Sequence, residues 1–148
     1  MSVELKRRGV SGPNVAPFTI ERRVYYQHTD AGGVVFHANY LAFMEQARTE
    51  FLMSLGFDVA RLAAEEGVMF IVHRVALEFV RPARLNETIR VTAETARVGR
   101  ARVIFRQVVS RDDETLVAGE IQLACVHPQS FKPVPVPPAL RTRLGYSD

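Results

Sequence analysis

Tryptophan is missing from this sequence and cysteine appears once, as Cys125. A single thiol cannot close an internal disulfide, so the fold must hold by packing; it also suits a reducing cytoplasm, the expected location. No apolar run approaches the roughly 18 residues that span a bilayer, so no transmembrane segment is expected. The opening MSVELKRRGVSGPNVAP has a basic patch with no apolar stretch behind it, unlike a secretory signal. Charge of one sign is lacking too: 19 Lys and Arg face 16 Asp and Glu, for a net +3. That leans weakly toward an anionic ligand. With no basic run interleaved with aromatics, nucleic acid is not an expected partner. Metal-ligand clusters are also lacking, since His73 and His127 lie far apart, and no metal or other cofactor is expected.

What is present is ordinary globular composition, 47% hydrophobic and 24% charged, in 148 residues, enough for one domain with a core. Residues 1–17 read as a flexible leader, 18–128 as a single domain and 129–148 as a proline-rich tail lying on the surface. Within the domain, FTIERRVYYQH (18–28) alternates as a strand, with Phe18, Ile20, Val24 and Tyr26 on one face. Tyr40, Met44, Ala47, Phe51 and Leu55 recur at helical spacing, widened by Leu41 and Leu52. Asn39 is the candidate N-cap of that helix and Gly56 its stop. A short helix follows over 58–67, between Asp58 and Gly67.

The remainder reads as strand. VMFIVHRVALEFV (68–80) is apolar on both faces, as a buried strand would be, and Pro82 ends it. Segments 87–98, 101–110 and 115–127 are joined by turns at Gly99 and at Asp112-Asp113, so they must be antiparallel neighbours. One helix with a broad apolar face and a five-stranded antiparallel sheet make an α+β fold in which the sheet curls around the helix.

The chemistry concentrates between Tyr25 and Glu45. Asp30 is followed by Gly32 and Gly33, whose backbone freedom permits a tight turn, and then by a helix start whose first N–H groups lack intrahelical partners. The frame Tyr26-x-x-Thr29-Asp30-x-Gly32-Gly33-Val34-Val35-x-His37-x-Asn39-Tyr40, with Glu45 and Arg48 beyond it, resembles the hotdog-fold acyl-CoA thioesterases of the 4-hydroxybenzoyl-CoA thioesterase family. Within that family it resembles the branch associated with the Tol–Pal system, and Arg81-Pro82-Ala83 resembles the family as well. The likeness covers about 18–127, leaving leader and tail unmatched.

The resemblance implies a hotdog domain that hydrolyses an acyl-CoA thioester, with Asp30 catalytic and the backbone N–H of His37 polarising the carbonyl. It also places Tyr26, Gly32, Gly33, Val34, Asn39 and Glu45 along the substrate. Chemistry agrees: thioester hydrolysis needs a nucleophile or a base and donors aimed at the developing oxyanion, while a thiolate leaves without metal assistance. Asp30 alone could simply cap a turn, and Glu45 beside Arg48 equally suits an ion-paired helix face. The His37 ring could contact substrate or be structural. Cys125, mid-strand in IQLACV, reads as a buried structural thiol. Arg90, Arg97, Arg100, Arg102, Arg106 and Arg111 offer candidates for the CoA phosphates and equally suit the solvated face of a sheet. An aromatic acyl-CoA thioesterase and a non-catalytic acyl-CoA-binding scaffold are the alternatives. The family pairs sheet edges into homodimers, with sites at the interface and a tetramer left open. Strand 68–80 is the candidate seam.

Overall fold

The computed structural model describes residues 16–145; the expected leader falls outside them apart from Ala16 and Pro17, as do residues 146–148. Five strands, β1 (Phe18–Arg23), β2 (Met69–Phe79), β3 (Thr88–Val98), β4 (Arg102–Arg111) and β5 (Glu114–Val126), form one antiparallel sheet in the order β1-β3-β4-β5-β2. Among the described residues three α-helices accompany it: α1 (His37–Ser54), α2 (Val59–Glu66) and α3 (Pro138–Arg143). The sheet curls around α1, the hotdog arrangement, in the α+β class.

Period-two patterning selects the inner face. Ile89, Val91 and Ala93 on β3, and Val103, Phe105 and Val109 on β4, are buried at alternate positions. Against them α1 presents Tyr40, Phe43, Met44, Ala47, Arg48 and Leu52. Phe43 and Phe105, both essentially fully buried, each contribute on the order of 1.5–3 kcal/mol. The glycine stops hold: Gly56 and Gly67 take positive φ of 91° and 65°. Asp58 caps α2, its carboxylate accepting from the Ala60 and Arg61 N–H groups at 2.8 and 3.1 Å.

Several expectations are corrected. β1 ends at Arg23 rather than running to His28, because a 3-10 turn takes over at Tyr26–His28, closed by the His28 N–H donating to the Tyr25 carbonyl at 2.9 Å. Tyr26 therefore leaves the inner face and is 82% exposed. Helix α1 starts at His37 with Phe36 as its N-cap, so Asn39 lies inside the first turn and does not cap it. Leu41, placed on the core stripe, is exposed, whereas Phe43 is buried. Among the described residues of one chain β2 is a sheet edge paired with β5, and Val72, Val75 and Phe79 stand exposed on it, so the chain by itself does not supply the burial expected for this strand.

The tail expected on the surface is in part core. Val136, Leu140 and Leu144 are at most 1% exposed and join the main apolar cluster. Prolines remove competing N–H donors, and the donors that remain are used: Val134 N–H reaches the Cys125 carbonyl at 3.0 Å and Val136 N–H the Arg100 carbonyl at 2.7 Å.

Candidate active site

The loop from Thr29 to Phe36 is a tight reversal. Thr29 and Val35 bridge across it, Asp30 N–H donates to the Val34 carbonyl at 2.9 Å, and Gly33 N–H returns to the Asp30 carbonyl at 3.1 Å. Gly33 adopts φ 76°, which a side chain disfavours. The Asp30 carboxylate accepts from Gly32 N–H at 2.8 Å through Oδ1. The side chain is thus aimed by its own loop, and the residue remains solvent-exposed.

The helix start is pinned from two sides. Asn39 Nδ2 donates to the His28 carbonyl at 2.8 Å and Phe36 N–H reaches the same carbonyl at 2.9 Å. His28 is held in turn: its Nδ1 accepts from Tyr25 N–H at 2.9 Å, and its ring packs edge-on against Phe43 with centroids 4.9 Å apart. Phe36 supplies no side-chain cap. The first N–H groups of α1, at exposed His37 and Ala38, are therefore available to an external acceptor, where the helix dipole favours negative charge.

Asp30, Gly32, Gly33, Val34, His37 and Asn39 thus come together in one loop-and-helix unit. The ring of His37 packs at a tilt against Phe36, with centroids 4.4 Å apart. Tyr26 stands on the adjoining 3-10 turn with its ring in solvent. Glu45 does not join them: eight residues along α1 from His37, it sits about 12 Å further up the axis. There it lines a groove of about 250 Å³ with Leu41, Ala42, Arg48, Val72, Val75 and Ile121. Of the arginines, Arg90, Arg106 and Arg111 are engaged by carboxylates: Glu21, the Glu94–Glu120 pair, and Glu87 with Glu114. Arg97, Arg100 and Arg102 lie at the β3–β4 turn, roughly 30 Å along β3 from the Glu87 end.

A model of the thioesterase superfamily matches residues 32–118. The chain belongs to the thioesterase superfamily. The acyl-CoA thioesterase YbgC of Haemophilus influenzae is 38% identical over 129 residues, 87% of this chain and 95% of that protein. The acyl-CoA thioester hydrolase YbgC of Escherichia coli O6:H1 is likewise 38% identical, over 86% of this chain and 95% of its own. A crystal structure described as a probable thioesterase from Bartonella henselae superposes with a TM-score of 0.79 at 33% identity, covering 82% of this chain and all of that one. The enzyme class is thioester hydrolase.

Two features of this thioesterase escaped sequence reasoning. Gln107 occupies an inward position of β4 and is fully buried; a polar residue in register with Val103, Phe105 and Val109 was the available signal. Tyr40 belongs to the apolar stripe and to the motif frame, but neither signals that its hydroxyl accepts from the Ala83 N–H at 2.9 Å. Burial raises its phenol above the usual value. Among the described residues no three His, Cys, Asp or Glu side chains are grouped to hold a metal ion, and no helix is long and apolar enough to cross a membrane.

Proposed function

We propose that the chain hydrolyses acyl-CoA thioesters to a free acid and CoA, with Asp30 as the reacting carboxylate and the amino end of α1 as the oxyanion site. The observation that carries this reading is the placement of an exposed, loop-aimed carboxylate seven residues before uncapped helix N–H groups. The thioester carbonyl oxygen accepts from His37 N–H, which strengthens as negative charge develops on it. Asp30 Oδ1 is engaged by Gly32, which leaves Oδ2 for chemistry. Oδ2 attacks the acyl carbon, the C–S bond breaks and CoA departs as thiolate. Water then splits the acyl–aspartyl anhydride and the proton it releases neutralises the thiolate. The chain's likeness to two proteins named for acyl-CoA hydrolysis supports this substrate class. Gly32, Gly33 and Val34 form the backbone against which the thioester lies, with Tyr26 and Asn39 at its margins and Glu45 along the groove.

Turnover of butyryl-, lauroyl-, palmitoyl- and benzoyl-CoA tests the substrate class and separates aliphatic from aromatic preference. Asp30→Asn, which keeps shape and removes charge, is expected to lower kcat by at least about a hundredfold without unfolding the protein. Near wild-type turnover in that variant sinks the mechanism. A burst of CoA ahead of acid, or oxygen-18 from solvent water entering Asp30 over many turnovers, marks direct attack. If both are missing, direct attack loses its support and Asp30 as base for water stands as the alternative.

The functional unit in this reading is a homodimer joined along β2. The exposed Val72, Val75 and Phe79 on an edge strand support it, because a second copy would pair the edge and cover those side chains. Val72→Glu should then yield monomers in sedimentation equilibrium; an unchanged assembly would place the interface elsewhere.

A further inference from the structure

Arg81-Pro82-Ala83 is the part of the sequence motif that the proposed reaction leaves without a task. Its Ala83 is completely buried and both sides of its peptide are used. The N–H donates to the Tyr40 hydroxyl at 2.9 Å, in the first turn of α1. The carbonyl accepts from Val35 N–H at 2.9 Å, on the loop that carries Asp30. Next to it, Arg84 bridges to Val34, and Leu85 N–H approaches the Gly33 carbonyl at 3.4 Å. One residue therefore holds the carboxylate loop with one hand and the helix end with the other.

The bracket is itself anchored to the body of the sheet. Val80 and Arg81 N–H groups both donate to the Leu116 carbonyl, at 2.8 and 3.1 Å. Glu87 accepts from Arg84 N–H at 2.6 Å and from both sides of its carboxylate by Arg111, at 2.7 and 2.9 Å. Arg111 also binds Glu114 at 3.1 Å, which in turn pairs with Arg81 at 3.0 Å. A phenol at 2% exposure is a costly choice for packing alone, since Phe would fill the same space without burying a hydroxyl.

We propose that Tyr40 is a positioning residue: its hydrogen bond to Ala83 sets the spacing between Asp30 and the amino end of α1. This rests on the reaction proposed above, in which those two groups act on opposite sides of one carbonyl. A reacting geometry of this kind tolerates little displacement, and an error near 1 Å costs on the order of a hundredfold. Substrate binding through the rest of CoA does not pass through the bracket, so the effect belongs in kcat.

The test is a double-mutant cycle on the best substrate of the four-member panel, read by thiol release. Tyr40→Phe should lower kcat about tenfold with KM held within about twofold. In an Asp30→Asn background the same change should alter the remaining rate by less than about twofold, because there is no carboxylate left to position. Glu87→Gln, which loosens the anchor outside the core, should repeat the pattern at about threefold. An unchanged kcat in both variants overturns the proposal, as does a tenfold loss that persists without the Asp30 charge. Full turnover by Asp30→Asn alone overturns the reaction itself, whatever Tyr40→Phe does.

Discussion

Arg48 donates from Nη1 to the side-chain oxygen of Gln107 at 2.9 Å, inside the core and away from any carboxylate within 4 Å among the described residues. Gln107 is locked in turn by donating to the Met44 carbonyl at 2.9 Å and the Thr92 carbonyl at 3.0 Å. The pair ties α1 to β3 and β4 through polar groups. Burial lowers the Arg48 guanidinium from its ordinary value, with the Glu45 charge opposing. Gln107→Leu leaves a buried cation without its acceptor and removes the donor shared by the Met44 and Thr92 carbonyls, so about 3–5 kcal/mol of stability should be lost. In an Arg48→Met background the same change should cost about 1–3 kcal/mol less. Urea denaturation of the four proteins measures the coupling; simple additivity contradicts it.

The two glycines of the loop should separate activity from stability. A Cβ on Gly32 would stand 3.2 Å from Asp30 Oδ1 and displace the carboxylate, while a Cβ on Gly33 meets nothing but is strained by φ 76°. Gly32→Ala is expected to reduce kcat by about tenfold or more with little change in Tm. Gly33→Ala should lose about 1 kcal/mol or more of stability. Circular dichroism melts run alongside kinetics check both, and a reversed pattern contradicts the loop geometry described.

Cys125 is fully buried, and burial pushes its thiol from 9.0 up to about 11. At neutral pH that alone makes the thiolate about a hundredfold scarcer than in a free cysteine. Maleimide labelling of the native protein should be slower by at least that factor and become fast in denaturant. The raised value favours the protonated thiol in the folded state. Its contribution to stability is thus complete below pH 9 and lost as pH rises through about 11. Cys125→Ala should keep thioesterase activity at a cost of about 1–3 kcal/mol and show a shallower loss of stability over that range. Loss of turnover in a folded Cys125→Ala protein is the contrary result.

Leu140, in α3, has no solvent exposure. Leu140→Ala should cost about 2–5 kcal/mol, the range for opening a core cavity. A surface tail would lose under about 0.5 kcal/mol, so a chemical-denaturation midpoint distinguishes the two directly.

Local conformation was legible from residue order alone. The helix stop at Gly56, the capped helix between Asp58 and Gly67, and the β3–β4–β5 meander all follow from period, caps and turns, whose physics is confined to a few neighbouring residues. The same holds for the unit of Asp30, Gly32, Gly33 and His37, which is contiguous in the chain. Tertiary structure decided what depends on distant partners. Tyr26 left its strand because a 3-10 turn closes over Tyr26–His28, and Leu140 joined the main apolar cluster although it lies in the proline-rich tail. Gln107 faces inward by period, but only the fold brings it within 2.9 Å of Arg48, 59 residues away. Tyr40 lies on the apolar stripe in any helical reading; that its hydroxyl meets the Ala83 amide, 43 residues on, depends on how the chain returns from β2. Periodicity assigns a residue to a face, and hydrogen-bond direction across that face is set by packing.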